Sequence, residues 1–303
     1  MRELSDDIGV LRMDEVALPP PGPGQLRLDL KACSVNFPDI LMVQGKYQFK
    51  PELPFAPGME GAGVVAETGE GVTMFKRGDR VMAGLRTGGF AQAANVSEAA
   101  CHKIPGTLDF AEAAAYLQPG ETLLVHGATG GVGLAAVDIG KLLGATVIAT
   151  SASSEKLKVV KSRGADHVLN LTGGFREQVK ELTGGGGADV IYDPVGGDVF
   201  DESVRCIAWN GRLLIIGFAG GRIPSLPVNM PLIKGFSVIG VRAGEYGRRD
   251  PAAGRANIEA IMRLAADGKI RPHICARFPL ERAVDALRML QNREAIGKVV
   301  IEM

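Results

Sequence analysis

The chain has 303 residues, enough for two domains that each bury a core. Lys plus Arg and Asp plus Glu both count 34, so charge gives no case for nucleic acid or an anionic membrane surface as the main partner. There is no amino-terminal signal with an apolar centre and no apolar run of about 18 residues, and Cys33, Cys101, Cys206 and Cys275 show no CxxC spacing. The expectation is a cytoplasmic enzyme with separate buried or half-buried thiols, neither a zinc ribbon nor a disulfide framework.

Residues 1–24 are polar and then proline-rich, which reads as extended chain. Gln25–Lys31 alternates apolar Leu26, Leu28 and Leu30 with polar residues, the pattern of a half-buried strand. Ala32–Asp39 turns from strand into a short helix carrying Ile40, Leu41 and Val43. Further short strands begin near Gly61, Arg80 and Phe90, punctuated by Gly and Pro. Together they predict a partly open β-barrel of about 100 residues.

From Glu121 the texture changes to alternating strand and helix. Strand Thr122–Val125 runs into the glycine-dense turn Gly127-Ala128-Thr129-Gly130-Gly131-Val132-Gly133, and Leu134, Val137 and Leu142 continue with helical spacing. Strand, tight turn and helix make a device for gripping a dinucleotide. Gly130 lets the backbone approach a pyrophosphate, Gly133 lets the helix pack closely, and the helix N-terminus offers N–H groups to phosphate. Strands at Thr146–Thr150, His167–Leu169, Ala188–Asp193, Arg212–Gly217 and Phe236–Val241, with helices between most of them, predict a doubly wound parallel sheet. Helices Arg255–Ala266 and Leu280–Leu290 and strand Lys298–Ile301 complete the chain and are expected to return to the first domain.

A family resemblance rests on motifs in the right order along nearly the whole chain. They are Ser34-Val35-Asn36-Phe37-Pro38-Asp39, Gly45-Lys46-Tyr47, Leu53–Val64, Gly78-Asp79-Arg80-Val81 and the turn Gly127–Gly133. Gly164-Ala165-Asp166, Asp193–Gly197, Gly217–Gly221 and Gly297-Lys298-Val299-Val300 follow. The chain resembles zinc-independent medium-chain dehydrogenases/reductases of the quinone oxidoreductase, ζ-crystallin-like type. The resemblance implies an α/β fold: a Rossmann doubly wound parallel sheet at 117–244 plus a GroES-like partly open β-barrel catalytic domain at 1–116 and 245–303. It also implies a homodimer through the edge strand Phe236–Val241. Zinc-dependent relatives have a Cys where this chain has Asn36 and a His where it has Met59. An amide and a thioether are poor Zn²⁺ ligands, so no metal is expected.

Three departures stand out. The amino end lacks most of the usual opening strand. Relatives insert roughly twenty residues, a helical crossover, where Tyr116 runs straight into Leu117; the intact flanks favour omission from the sequence as read over a true loss. Relatives often carry Tyr after the Asn at Asn170, where this chain has Leu171.

An NAD site usually carries an acid about 20 residues beyond the glycines. Here no acid precedes Glu155, and Ser151, Ser153 and Lys156 offer hydroxyls and an ammonium suited to a 2′-phosphate, so NADPH is the expected cofactor. Backbone at Gly196, Gly217, Phe218 and Ala219 is placed on the nicotinamide side, in a cleft at the carboxyl ends of the sheet strands. Asn36 and Asp39 are expected to orient the cofactor ribose or an acceptor carbonyl, with local helix capping as the plainer role. Tyr47 is a candidate donor to the acceptor, or else a packed loop aromatic. Isolated His126 reads as a core or surface residue. The function read from these residues is hydride transfer from NADPH to a quinone. The alternatives are reduction of activated C=C bonds in enoyl thioesters or enones, and non-catalytic NADPH binding in a crystallin-like or RNA-binding protein.

Overall fold

The structure is a computed structural model describing residues 1–103 and 120–303. The chain forms two compact units: Met1–Gly106 with Ile274–Met303, and Thr107–His273. The first unit opens with β1 (Gln25–Ser34), α1 (Phe37–Val43), β2 (Glu60–Thr68), β3 (Arg80–Gly84), β4 (Ala93–Ser97) and β5 (Cys101–Lys103). The second comprises β6 (Thr122–Val125), α2 (Gly131–Leu142), β7 (Thr146–Ser151), α3 (Ser154–Ser162), β8 (His167–Asn170), α4 (Arg176–Leu182), β9 (Ala188–Asp193), α5 (Gly197–Cys206), β10 (Ile207–Ile215), α6 (Asn229–Lys234), β11 (Ser237–Gly240), α7 (Ala243–Arg249) and α8 (Pro251–Ala266). The chain then returns to the first unit with β12 (Ile274–Pro279), α9 (Ala283–Gln291) and β13 (Lys298–Glu302).

In the first unit the strands run in the order β12-β13-β1-β2-β3-β5, with β4 also paired to β1. Leu26, Leu28 and Leu30 alternate inward from β1 and meet Val65, Val81, Ala83, Ala94 and Val96. A second core joins Ile40 and Val43 of α1 to Leu287 of α9 and to Val299 and Ile301 of β13. The pairing Ser34↔Glu60 and Ser34↔Val300 brings the end of β1 beside the starts of β2 and β13.

The second unit is an all-parallel sheet, β11-β10-β9-β6-β7-β8. Its period-two alternation separates two cores. Leu123, Val125, Val147 and Ala149 pack with α2 and α3 through Leu134, Val137, Leu157 and Val160. Leu124, Ile148 and Ile191 pack with α4 and α5 through Val179, Phe200 and Val204. Helices therefore cover both faces, which is why these strands read as continuous apolar runs. The strand order reverses between β6 and β9, the switch point at whose carboxyl ends ligands bind in such sheets.

Several boundaries differ from the sequence reading. The chain rejoins the first unit at Ile274, not at residue 245. The reason is packing: Ile261, Ala265 and Ile270 bury against Ile139 of α2. Strand β12 and helices α6 and α7 have no counterpart in the sequence reading, and β10 begins at Ile207, ahead of the strand expected from Arg212. The Tyr116–Leu117 junction lies outside the described residues.

Candidate functional site

The glycine turn between β6 and α2 is built from backbone. Gly130 caps α2 in extended conformation, its N–H donating to the Gly127 carbonyl at 2.9 Å. A Cβ on Gly133 would lie 2.3 Å from that same carbonyl oxygen and 2.8 Å from Ala128 Cα, so only glycine lets the helix start this close to the turn. The first-turn N–H groups of α2 have no acceptor inside the helix, as at every helix start. Gly131 is half-buried and Val132 exposed, while Ala128 is buried and donates to the Thr150 carbonyl at 3.1 Å. Such a terminus suits an anion.

The end of β7 is held by hydroxyls. Ser151 is buried, shares a 3.3 Å hydrogen bond with Thr129 Oγ1, and accepts the Ser153 N–H at 3.3 Å. It links the glycine turn to the start of α3. Ser153 caps α3 by accepting the Lys156 N–H at 3.4 Å. Glu155, the first acid after β7, accepts from Lys158 at 2.8 Å.

Two further loops follow β9 and β10. Asp193 Oδ1 accepts the N–H groups of Val195 at 2.8 Å and Gly196 at 2.9 Å. The Pro194 and Val195 carbonyls then accept Ala219 N–H at 3.0 Å and Gly220 N–H at 2.8 Å, tying the two loops together. Gly196 has φ +70°, and a Cβ there would lie 2.9 Å from the Phe218 ring. Asp193 Oδ2 is buried with no hydrogen-bond partner among the described residues, and burial pushes this carboxyl's pKa up. Sequence reasoning missed Asp193 as a loop organiser.

In the first unit the groups sit where the ends of β1, β2 and β13 meet. Asp39 is fully buried. It accepts the Asn36 N–H at 2.8 Å and the Gly58 N–H at 3.1 Å, so it caps α1 and anchors the loop before β2. These contacts are those of the plainer capping role. Burial pushes its pKa up to about 7, against the pull of those two hydrogen bonds. Asn36 remains half-buried; its Oδ1 accepts from Lys298 Nζ at 3.2 Å, and Glu60 lies 3.5 Å from the same ammonium. Tyr47 is half-buried on the turn after α1, its N–H bonded to the Leu41 carbonyl at 3.1 Å. Cys33 is buried beside this cluster, and burial together with Asp39 and Glu60 raises its thiol pKa well above the ordinary value. His126 is a satisfied core residue: its ring nitrogens meet Thr150 Oγ1 and Ser203 Oγ, both at 2.8 Å, and burial lowers its pKa to about 3.

A barrel unit interrupted by a doubly wound nucleotide-binding unit defines the medium-chain dehydrogenase/reductase architecture. Residues 22–106 match the alcohol dehydrogenase GroES-like domain and 131–264 the zinc-binding dehydrogenase domain. The chain is 40% identical to mouse quinone oxidoreductase-like protein 2, covering 97% of this chain and 89% of that one; the alignment spans 311 positions, so the relative carries residues this chain lacks. It is similar to a mycobacterial structure complexed with NADPH (TM-score 0.90, 30% identity, 99% and 98% coverage). It is also similar to the Escherichia coli quinone oxidoreductase structure complexed with NADPH (TM-score 0.89, 27% identity, 100% and 98% coverage). The chain belongs to the quinone oxidoreductase family of medium-chain dehydrogenases/reductases.

Proposed function

We propose that the chain is a zinc-independent, NADPH-dependent reductase that passes a hydride to a quinone. The observation that carries this reading is the turn at the sheet's switch point, where the 2.3 Å approach at Gly133 shapes a backbone cradle for a pyrophosphate. NADPH supplies the hydride. The residues that would hold it are the α2 N-terminus for the pyrophosphate, Lys156 and the Ser153 hydroxyl for the 2′-phosphate, and backbone at Gly196 and Gly217–Ala219 for the nicotinamide. Glu155, the first acid after β7, pairs with Lys158, which favours a phosphate over a bare ribose there.

Asn36 would orient the acceptor carbonyl. Its amide oxygen faces the Lys298 ammonium, an arrangement unsuited to a Zn²⁺ ion, and this supports a metal-free reading despite the name of the matched domain. A reduced quinone needs no strong dedicated acid. The second reading, reduction of an activated C=C bond, is favoured by Tyr47, whose half-buried phenol could donate a proton. We also propose a homodimer through β11. Among the described residues this edge strand pairs only with β10, and Val238, Trp209, Leu232 and Ile233 are exposed on or beside it.

NADPH oxidation with a naphthoquinone, set against an enoyl thioester or alkenal, separates the two reductase readings. NADPH binding without turnover of any of them would support the non-catalytic alternative. A kcat/KM for NADH equal to that for NADPH would overturn the cofactor assignment, and a monomeric mass by light scattering the dimer.

A further inference from the structure

Lys298 opens β13 ahead of the apolar run Val299–Ile301, 262 residues along the chain from Asn36. Its side chain is only 19% exposed, so a cation has been carried into a largely covered position. An ammonium has three N–H donors. Asn36 Oδ1 takes one at 3.2 Å. Glu60 Oε2 stands at 3.5 Å, long for a charge-assisted bond, and its carboxylate is 41% exposed. Donor capacity is therefore left over beside the amide that the functional reading assigns to the acceptor. The second carboxyl near this cluster, Asp39, spends its oxygens on the Asn36 and Gly58 N–H groups. Burial pushes it up to about 7, so near neutrality it is only partly charged and cancels the ammonium incompletely.

We propose that Lys298 is a catalytic residue whose ammonium stabilises and protonates the acceptor oxygen as that oxygen gains charge. The proposal rests on the hydride-transfer reading. A dihydronicotinamide is the reductant; its hydride forms the new bond to the acceptor, whose displaced π-electron pair settles on the carbonyl oxygen. An Nζ–H proton of Lys298 moves to that oxygen, and water restores the proton to Nζ. The acceptor gains two electrons and two protons in all, one of them as hydride. Asn36 holds Nζ in place, and Glu60 competes with the acceptor for it. The sequence offered one signal, a lone charge at the head of the apolar run Val299–Ile301.

Full-length wild type, K298M, K298R and E60Q test this with two readouts. The first is binding of p-nitrophenol, whose phenolate mimics the reduced acceptor. Wild type should lower the ionisation point of the bound phenol by about one unit. K298M should abolish that shift, K298R should retain it, and E60Q should enlarge it by removing the competitor. The second is NADPH oxidation with a naphthoquinone. K298M should lower kcat about 100-fold with KM for NADPH changed less than about threefold, and K298R, which keeps the charge but does not give up its proton, should recover only part of the rate. The proposal is overturned if wild type shifts the phenol not at all, if E60Q weakens the shift, or if K298M keeps its kcat. It is equally overturned if K298M raises KM for NADPH while leaving kcat alone, which would make Lys298 a cofactor anchor. A Lys298-dependent phenolate shift in a protein that never oxidises NADPH would sink the hydride-transfer reading and leave the oxyanion site standing.

Discussion

In the proposed function the nucleotide-binding unit and the barrel unit solve the same problem, holding a small molecule, with different materials. In the first, the grip is main chain: at Gly133 and Gly196 a side chain would collide with backbone or ring. In the second, the grip is side chain on side chain: Asn36, Asp39, Glu60 and Lys298 meet at the ends of three strands. A backbone site tolerates little change at a few positions. A side-chain site is adjustable, since each member can be traded for another chemistry without moving the strands beneath it.

The sharpest way to break this contrast is Gly133→Val. The new Cβ would sit 2.3 Å from the Gly127 carbonyl oxygen, and neither backbone can yield without moving helix from strand. Destabilisation of at least about 3 kcal/mol is expected, with NADPH affinity down at least about 100-fold. Fluorescence titration and thermal unfolding check both. Near-normal binding would show that the turn is not the anchor.

Asp39→Ala is the counterpart in the barrel unit. It strands the Asn36 and Gly58 N–H groups, one of them in a buried position. A loss of about 3 kcal/mol is expected, together with a lower kcat as Asn36 loses its anchor. Unfolding in urea and quinone turnover report the two. Full stability with lost activity would instead return Asp39 to direct chemistry.

This contrast also explains what was legible in the sequence. Gly127–Gly133 announces itself because steric need forces glycine at a set spacing, within one strand–turn–helix. The alternation in β1 and the apolar runs of β6, β7 and β9 were equally readable, since burial on one face or both dictates them. Lys298 was not readable as a partner of Asn36, because only the β1–β13 pairing brings them together. Nor was the burial of Asp39, which depends on a loop closing over it through Gly58. Strand β12 was hidden by its mixed composition, Ile274-Cys275-Ala276-Arg277-Phe278-Pro279, half-covered in the structure. The division at Ile274 depends on α8 finding α2, which no local pattern records.

The two units also carry buried titratable groups of opposite sign. Asp39 has a folded pKa of about 7, above its ordinary 3.8. Between these values the folded state binds more protons than the unfolded, so its contribution is full below about pH 4 and is lost as pH rises through 7. His126 has a folded pKa of about 3, below its ordinary 6.5. Its contribution is full above pH 6.5 and is lost as pH falls towards 3. Asp39→Asn should therefore flatten the stability profile between pH 4 and 7, and His126→Asn between pH 6.5 and 3, each by up to about 1.4 kcal/mol per pH unit. Urea unfolding across pH checks this. Variant profiles parallel to wild type would refute the assignment for that unit.

The smallest effect expected tests the one place where the backbone-built unit does rely on a side chain. Pyrophosphate binding to N–H groups cannot tell NADPH from NADH, since both carry it. Discrimination has to come from what stands at the end of β7. There Ser151 meets Thr129 and the Ser153 N–H, Ser153 caps α3, and Lys156 is the charge proposed for a 2′-phosphate. One charge-assisted contact at a solvent-facing helix start is worth about 1.4 kcal/mol, or tenfold in affinity. Lys156→Ala should thus raise KM for NADPH about tenfold, leave KM for NADH within about twofold, and leave kcat with either cofactor unchanged. An equal rise for both cofactors would place Lys156 at the shared pyrophosphate, and no rise for either would return selectivity to the hydroxyls.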